Sequence, residues 1–69
     1  MMINNAVKEI RESKLLSKKE LAKMADLSSE TISRIEKGYP CRIQTKRKIL
    51  MALGLELTDV KKVFGNGGK

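Results

Sequence analysis

The chemistry available to this sequence centres on a short segment with two hydroxyls, one carboxylate and one guanidinium. These belong to Ser29, Ser33, Glu30 and Arg34. On a helix that buries Ile32 and Ile35, the four polar side chains point away from the core. Together they can donate and accept hydrogen bonds, but they include no nucleophile paired with a base. The segment therefore predicts recognition by hydrogen bonding rather than catalysis.

The composition of the whole chain also argues against an enzyme. The 69 residues include no histidine and one cysteine, Cys41. An intramolecular disulfide is therefore impossible, and a zinc site of the usual ligand count cannot be built. No base is a candidate partner for the cysteine, and the only glycine-rich stretch lies in the terminal residues 65–69. We expect no enzyme activity, no metal and no cofactor, and we interpret Cys41 as incidental.

The charge of the chain favours an anionic partner. The net charge is +7, and residues 28–54 hold six basic side chains against two acidic ones. Such a surplus suits nucleic acid or an anionic membrane surface. No apolar run is long enough to span a bilayer, and the N-terminus lacks a signal-peptide pattern. We therefore expect a cytoplasmic protein that does not bind membranes.

The spacing of apolar residues predicts a single all-α domain. A chain of this length supports one domain, and its apolar residues recur at helical rather than alternating spacing. We expect a domain over residues 1–64 and a flexible tail over 65–69. Asn4 or Asn5 is expected to cap the first helix, which Lys14 closes. The other predicted helices cover about 18–25, 29–37, 43–53 and 57–63.

Helix boundaries are marked most clearly between residues 16 and 38. Ser17 and Glu20 fit a capping box, with Leu16 and Leu21 as the matching hydrophobic staple. Asp26 tolerates the left-handed conformation that a tight turn needs. Three further residues are predicted to start or end helices: Ser28 as a cap, and Gly38 and Gly54 as terminators.

Two short helices joined by a brief turn match a helix-turn-helix. Residues 16–38, LSKKELAKMADLSSETISRIEKG, closely resemble the Cro/C1-type (XRE-like) family of phage and bacterial regulators. Thr45, Ile49 and the sequence Ala52-Leu53-Gly54 resemble the end of the family's fourth helix, so the resemblance covers about residues 4–63. It implies a compact five-helix, lambda-repressor-like DNA-binding domain whose recognition helix is the predicted third helix.

The resemblance also implies roles for individual residues. Ser29, Glu30 and Arg34 match base-contacting positions, and Ser33 is a lesser candidate. Arg34 can donate two bonds to guanine, and Glu30 can accept one from cytosine. The implied phosphate contacts are Lys18, Lys19, Thr31, Lys37, Tyr39, Arg42, Gln44, Thr45 and Lys46. Arg11 and Glu36 match a structural salt bridge between the first and third helices.

The sequence departs from the family pattern at several positions. Lys18 and Ser29 stand where glutamine is frequent, so a glutamine-to-adenine contact is not expected. Lys46 and Arg47 replace apolar family positions, which makes the fourth helix more basic. Glu56 replaces a small capping residue, so we expect the fifth helix to start poorly.

These observations predict a sequence-specific transcriptional regulator, with a repressor favoured. We expect a homodimer on double-stranded DNA, bound to a pseudo-palindromic operator. The predicted dimer surface is Leu57, Val60, Val63 and Phe64, although these residues can instead close the monomer's core. Two alternatives stay open: an antitoxin that works with a toxin or another protein partner such as an antirepressor, and a protein-interaction adaptor. We expect no small-molecule ligand.

Overall fold

The computed structural model describes residues 5–65, which form five α-helices and contain no β-strand. The helices are α1 (Val7–Ser13), α2 (Lys18–Met24), α3 (Ser29–Glu36), α4 (Ile43–Ala52) and α5 (Val60–Phe64), and a 3₁₀ turn over Leu57–Asp59 leads into the last. The predicted fold class is confirmed, and the predicted bounds of α2, α3 and α4 agree to within one residue. The predicted tail, apart from Gly65, lies outside the described residues.

The helix-turn-helix begins with the predicted capping box. Ser17 Oγ accepts from the Glu20 N–H at 3.0 Å, and Glu20 Oε1 accepts from the Ser17 N–H at 2.8 Å. The bond from the Ser17 N–H, with a smaller contribution from the Ser17 side chain, holds the pKa of Glu20 below its ordinary value, because both stabilise the carboxylate. Ser28 caps α3 in the same way, accepting from the Thr31 N–H at 3.1 Å. Local hydrogen bonds thus fix where both helices of the motif start.

The turns between the helices use left-handed backbone. Asp26 has a φ of 58° in the turn between α2 and α3, as predicted. Gly38 and Gly54, with φ of 103° and 75°, end α3 and α4. Leu15, after α1, also has a positive φ, of 59°, and its side chain is 90% exposed. Leucine is strained in this conformation, whereas glycine and aspartate adopt it more easily.

The start of α1 differs from the expectation. Its N-cap is Ala6, which has no side chain that can accept a hydrogen bond. Asn5 supplies a bond from one residue earlier, because its Oδ1 accepts from the Val7 N–H at 3.1 Å. Asn5 Nδ2 also donates to the Ile35 carbonyl at 2.7 Å, which ties the start of α1 to the end of α3. Asn4, the other predicted cap, lies outside the described residues.

The start of the fifth helical segment also has a local hydrogen bond. The Glu56 N–H donates to Asp59 Oδ2 at 3.0 Å. The chain then makes the 3₁₀ turn before α5, so the single helix predicted over about 57–63 is divided in two. The carboxylate of Asp59 therefore supplies part of the capping that we expected to be lacking.

One apolar core joins all five helices. Its members are Val7, Leu21, Ala22, Ala25, Ile32, Ile35, Ile49, Leu50, Leu53, Val63 and Phe64. Val63 and Phe64 are only 2% and 4% exposed, so they close the monomer's core and cannot lie at a dimer surface without rearrangement. Of the predicted dimer residues, Leu57 is exposed and Val60 is half-buried. Within residues 5–65, no helix has the length and apolarity needed to cross a bilayer.

Candidate nucleic-acid interface

The third helix has one face in the core and one face in solvent. Ile32 and Ile35 are 0% and 3% exposed, and they fix α3 against the rest of the domain. On the opposite side, Ser29, Glu30 and Arg34 are exposed, and Ser33 is half-buried. The four side chains predicted to contact bases are therefore brought together on one helix. Hydroxyl, carboxylate and guanidinium groups of this kind can bond to the base edges in a DNA major groove.

Arg34 contacts the aromatic ring of Tyr39. Its Cζ atom lies 5.2 Å from the ring centroid, within the range of a cation–π interaction. The Tyr39 N–H donates to the Arg34 carbonyl at 3.1 Å, so the backbone holds the two residues together as well. Tyr39 thus lies beside a predicted base-contacting side chain.

An open groove of about 290 Å³ runs beside this pair. It is lined by Thr31, Arg34, Ile35, Tyr39, Pro40, Cys41, Arg42 and Thr45. Its lining residues carry two guanidinium groups and three hydroxyls and include no carboxylate. A concave surface of this composition suits a negatively charged group such as a DNA phosphate.

The remaining predicted phosphate contacts divide into exposed and buried residues. Lys18, Lys19, Lys37 and Gln44 are exposed, so their side chains are available to a ligand. The Thr31 hydroxyl lies 2.8 Å from Ser28 Oγ, within the cap of α3.

The burial of Lys46 argues against its predicted phosphate contact. Its side chain is only 4% exposed, and its Nζ lies 5.6 Å from the centroid of the Phe64 ring. The ammonium group is therefore turned into the domain rather than towards a phosphate. Lys46 lies three, four and seven residues before the buried Ile49, Leu50 and Leu53, and therefore on the same face of the helix. This spacing in the sequence could have predicted that Lys46 is buried.

A buried ion pair connects α1 to the end of α3. Arg11 Nε donates to Glu36 Oε2 at 2.7 Å, and Arg11 Nη2 donates to Glu36 Oε1 at 3.3 Å. The side chains are 8% and 4% exposed. Arg11 Nη1 also donates to the Leu16 carbonyl at 2.7 Å. This is the pair that the family resemblance implies. The hydrogen bond with Glu36 raises the pKa of Arg11, although burial acts in the opposite direction.

Comparison with known families decides the classification. A family model described as helix-turn-helix matches residues 7–60, which is most of the chain. The chain belongs to the Cro/C1-type helix-turn-helix family. Membership supports a DNA-binding protein that acts in transcription regulation.

A solved structure of similar fold is the clp gene regulator ClgR from C. glutamicum. The two chains superpose with a TM-score of 0.71 at 27% sequence identity, and the match covers 80% of this chain and 73% of that one. No curated protein matches the chain significantly in sequence.

Cys41 lies half-buried in the wall of the groove of this Cro/C1-type domain. Burial raises the pKa of its thiol, while the nearby charge of Lys46 acts in the opposite direction. A raised pKa keeps the thiol protonated near neutral pH, and a protonated thiol is a poor nucleophile.

Sequence reasoning missed one residue that positions the interface. Asn5 was expected only to cap α1. Its side-chain amide also donates a hydrogen bond to the Ile35 carbonyl, which holds the end of α3. Asn5 and Ile35 are 30 residues apart in the chain. No local pattern carries information on a contact of that range.

Proposed function

We propose that this protein is a sequence-specific repressor that binds a pseudo-palindromic operator as a homodimer. One observation carries the proposal: α3 is fixed to the core by Ile32 and Ile35 while Ser29, Glu30 and Arg34 are exposed on its other side. A helix held in this way can enter the major groove with its side chains in defined positions. Repression follows when an occupied operator blocks RNA polymerase, which in a bacterial cell takes place in the cytoplasm.

The surrounding residues supply the sequence-independent part of the binding. Lys18 and Lys19 stand at the start of α2, Lys37 is exposed at the end of α3, and Arg42 lines the groove. In this proposal they contact the phosphates on either side of the base pairs that α3 reads. Each phosphate neutralised contributes to affinity and to its dependence on salt.

Two arguments support a dimer: the small number of base pairs that one helix reads, and the exposure of apolar side chains near α5. One recognition helix reads few base pairs, and a two-fold dimer doubles the site, with half-sites about 34–36 Å apart. Leu57 is 48% exposed and Met51 is 70% exposed, with the half-buried Val60 in the same region of the chain. Leu57 and Val60 are the part of the predicted dimer surface that the monomer leaves accessible.

Selection of binding sites from random DNA duplexes tests the proposal. We expect wild-type protein at about 150 mM salt to enrich a two-fold symmetric site. In Arg34→Ala, one base pair in each half-site should lose about 1–3 kcal/mol of discrimination. Weak, salt-sensitive binding with no enriched site would contradict a specific repressor and favour a protein-interaction adaptor.

The dimer is tested separately by sedimentation. Leu57→Glu should shift the protein towards monomer and weaken operator binding, because a carboxylate at an apolar interface is left desolvated. Met24→Glu is the matched control, since Met24 is a similarly exposed apolar residue, at 55%, on α2. Equal effects of the two substitutions would contradict the proposed surface.

A further inference from the structure

Arg34 is an exposed side chain with a preferred contact. Among residues 5–65, its guanidinium forms no ion pair with a carboxylate and no side-chain hydrogen bond, and its partner is the ring of Tyr39 at 5.2 Å. An isolated arginine at a surface samples many rotamers, and binding must suppress them. Contact with the ring reduces that freedom before DNA arrives.

The position of the Tyr39 ring is itself determined by the backbone. Gly38 has a φ of 103° and turns the chain back, and the Tyr39 N–H then bonds to the Arg34 carbonyl at 3.1 Å. Pro40 follows, and a residue before proline is restricted to extended conformations. The backbone therefore places the ring beside the end of α3, within reach of Arg34.

Stacking against an aromatic face is compatible with reading a base. A guanidinium is planar and its N–H groups point outward in the plane, so a ring on one face leaves the donors free. Two of those donors can bond to O6 and N7 of guanine, which is the commonest specific arginine contact in DNA recognition.

We propose that Tyr39 is a positioning residue for Arg34, and that the pair together sets selectivity for one guanine in each half-site. This inference rests on the proposed function. It changes the role of Tyr39 from the phosphate contact implied by the family resemblance to a contribution that is specific to one base pair.

The first test uses the free protein. The sequence has one tyrosine, one phenylalanine and no tryptophan, and Phe64 is buried in the core, so Tyr39 is the aromatic ring available to Arg34. We expect NMR to show ring-current shifts of the Arg34 Hδ and Hε protons that disappear in Tyr39→Leu and persist in Tyr39→Phe. Identical Arg34 shifts in all three proteins would overturn the proposal.

The second test measures DNA selectivity. Wild type, Tyr39→Phe and Tyr39→Leu are compared on the selected operator and on duplexes changed one base pair at a time, and the pair read by Arg34 is identified with Arg34→Ala. Tyr39→Leu should lose about two- to fivefold of the discrimination at that pair, while Tyr39→Phe retains it. In an Arg34→Ala background, Tyr39→Leu should have no further effect there.

The two tests separate this inference from the proposed function. If the selection enriches no site, the specific repressor fails and the inference fails with it. If a site is enriched but Tyr39→Leu lowers affinity equally at every base pair, the repressor stands and Tyr39 acts on the phosphates instead. Thermal unfolding of each variant shows that the comparison is made between folded proteins.

Discussion

The two faces of α3 differ in what holds their side chains. On the inner face, Ile32 and Ile35 are buried and Glu36 is bonded twice to Arg11. On the outer face, Ser29 and Glu30 are exposed. In the proposed function, stability and recognition therefore depend on separate residues of one helix. A substitution on the inner face should act on folding, and one on the outer face should act on the choice of DNA.

The largest effect is expected for Glu36→Ala, which tests the inner face. It leaves the buried Arg11 guanidinium with only the exposed Glu12 carboxylate, 3.9 Å away, as a counter-charge. Breaking a buried pair by removing one partner costs about 3–5 kcal/mol. Urea unfolding followed by circular dichroism measures the loss. In a small domain of marginal stability, a loss of this size leaves much of the protein unfolded at ambient temperature.

A double substitution provides the control. Arg11→Met combined with Glu36→Leu removes both charges and keeps apolar volume at the site, so it should recover most of the stability lost in Glu36→Ala. A cost below about 1 kcal/mol for Glu36→Ala would match a solvent-exposed pair and would contradict a role in fixing α3.

The inner face shows how far sequence reasoning reaches. Helix starts at Ser17 and Ser28 were predictable because the capping oxygen and the N–H that donates to it lie three residues apart. The left-handed turn at Asp26 was also predictable from a local feature, because aspartate tolerates this conformation. The Arg11–Glu36 pair crosses 25 residues and came only from the family resemblance, not from local spacing.

The outer face and α4 show where that reasoning stops. The family resemblance implied a phosphate contact for Lys46, but the direction of its side chain depends on its phase on α4, which places it among buried residues. The contact of Arg34 with Tyr39 crosses the turn at Gly38, whose geometry sets where the ring lies. Burial of a charge and contacts across a turn both require the folded chain.

The burial of Lys46 gives a second prediction, which compares it with Arg42. Arg42 lines the exposed groove, so Arg42→Met should reduce the slope of log affinity against log salt by about 0.9, the contribution of one phosphate. Lys46→Met should leave the slope unchanged, because the Lys46 ammonium is inside the domain. Binding isotherms at several salt concentrations measure both slopes, and an equal reduction in Lys46→Met would show that Lys46 reaches the DNA.

A third prediction concerns a residue on neither face of α3. Leu15 occupies a left-handed conformation with its side chain 90% exposed, so Leu15→Gly removes strain and little packing. The relief is partly offset by the greater freedom of glycine in the unfolded chain, and we expect a net gain of about 0.5–1 kcal/mol. Thermal unfolding measures the gain, and operator affinity should not change.

Asp26→Gly is the matched control for that substitution. Asp26 has nearly the same φ, 58° against 59° for Leu15, but aspartate tolerates this conformation better than leucine. Its gain should therefore be smaller. A larger gain for Asp26→Gly than for Leu15→Gly would show that the strain at Leu15 is relieved by its surroundings.

The smallest expected effect lies at the start of α2 and depends on pH. The bonds with Ser17 hold the pKa of Glu20 below its ordinary value of 4.5, so the carboxylate stabilises the folded state at pH above that value. This contribution is lost as the pH falls through the lower pKa of the folded state, because protonation then weakens the bond to the Ser17 N–H.

Glu20→Gln keeps an acceptor in the capping box but does not titrate. Stability measured from pH 7 down to about pH 2 should therefore decline less steeply in Glu20→Gln than in wild type, and parallel curves would mean that the capping box contributes nothing to the acid response. Because Glu20 acts on α2 rather than on the exposed side of α3, the base preferences of the selected operator should be the same in both proteins at neutral pH.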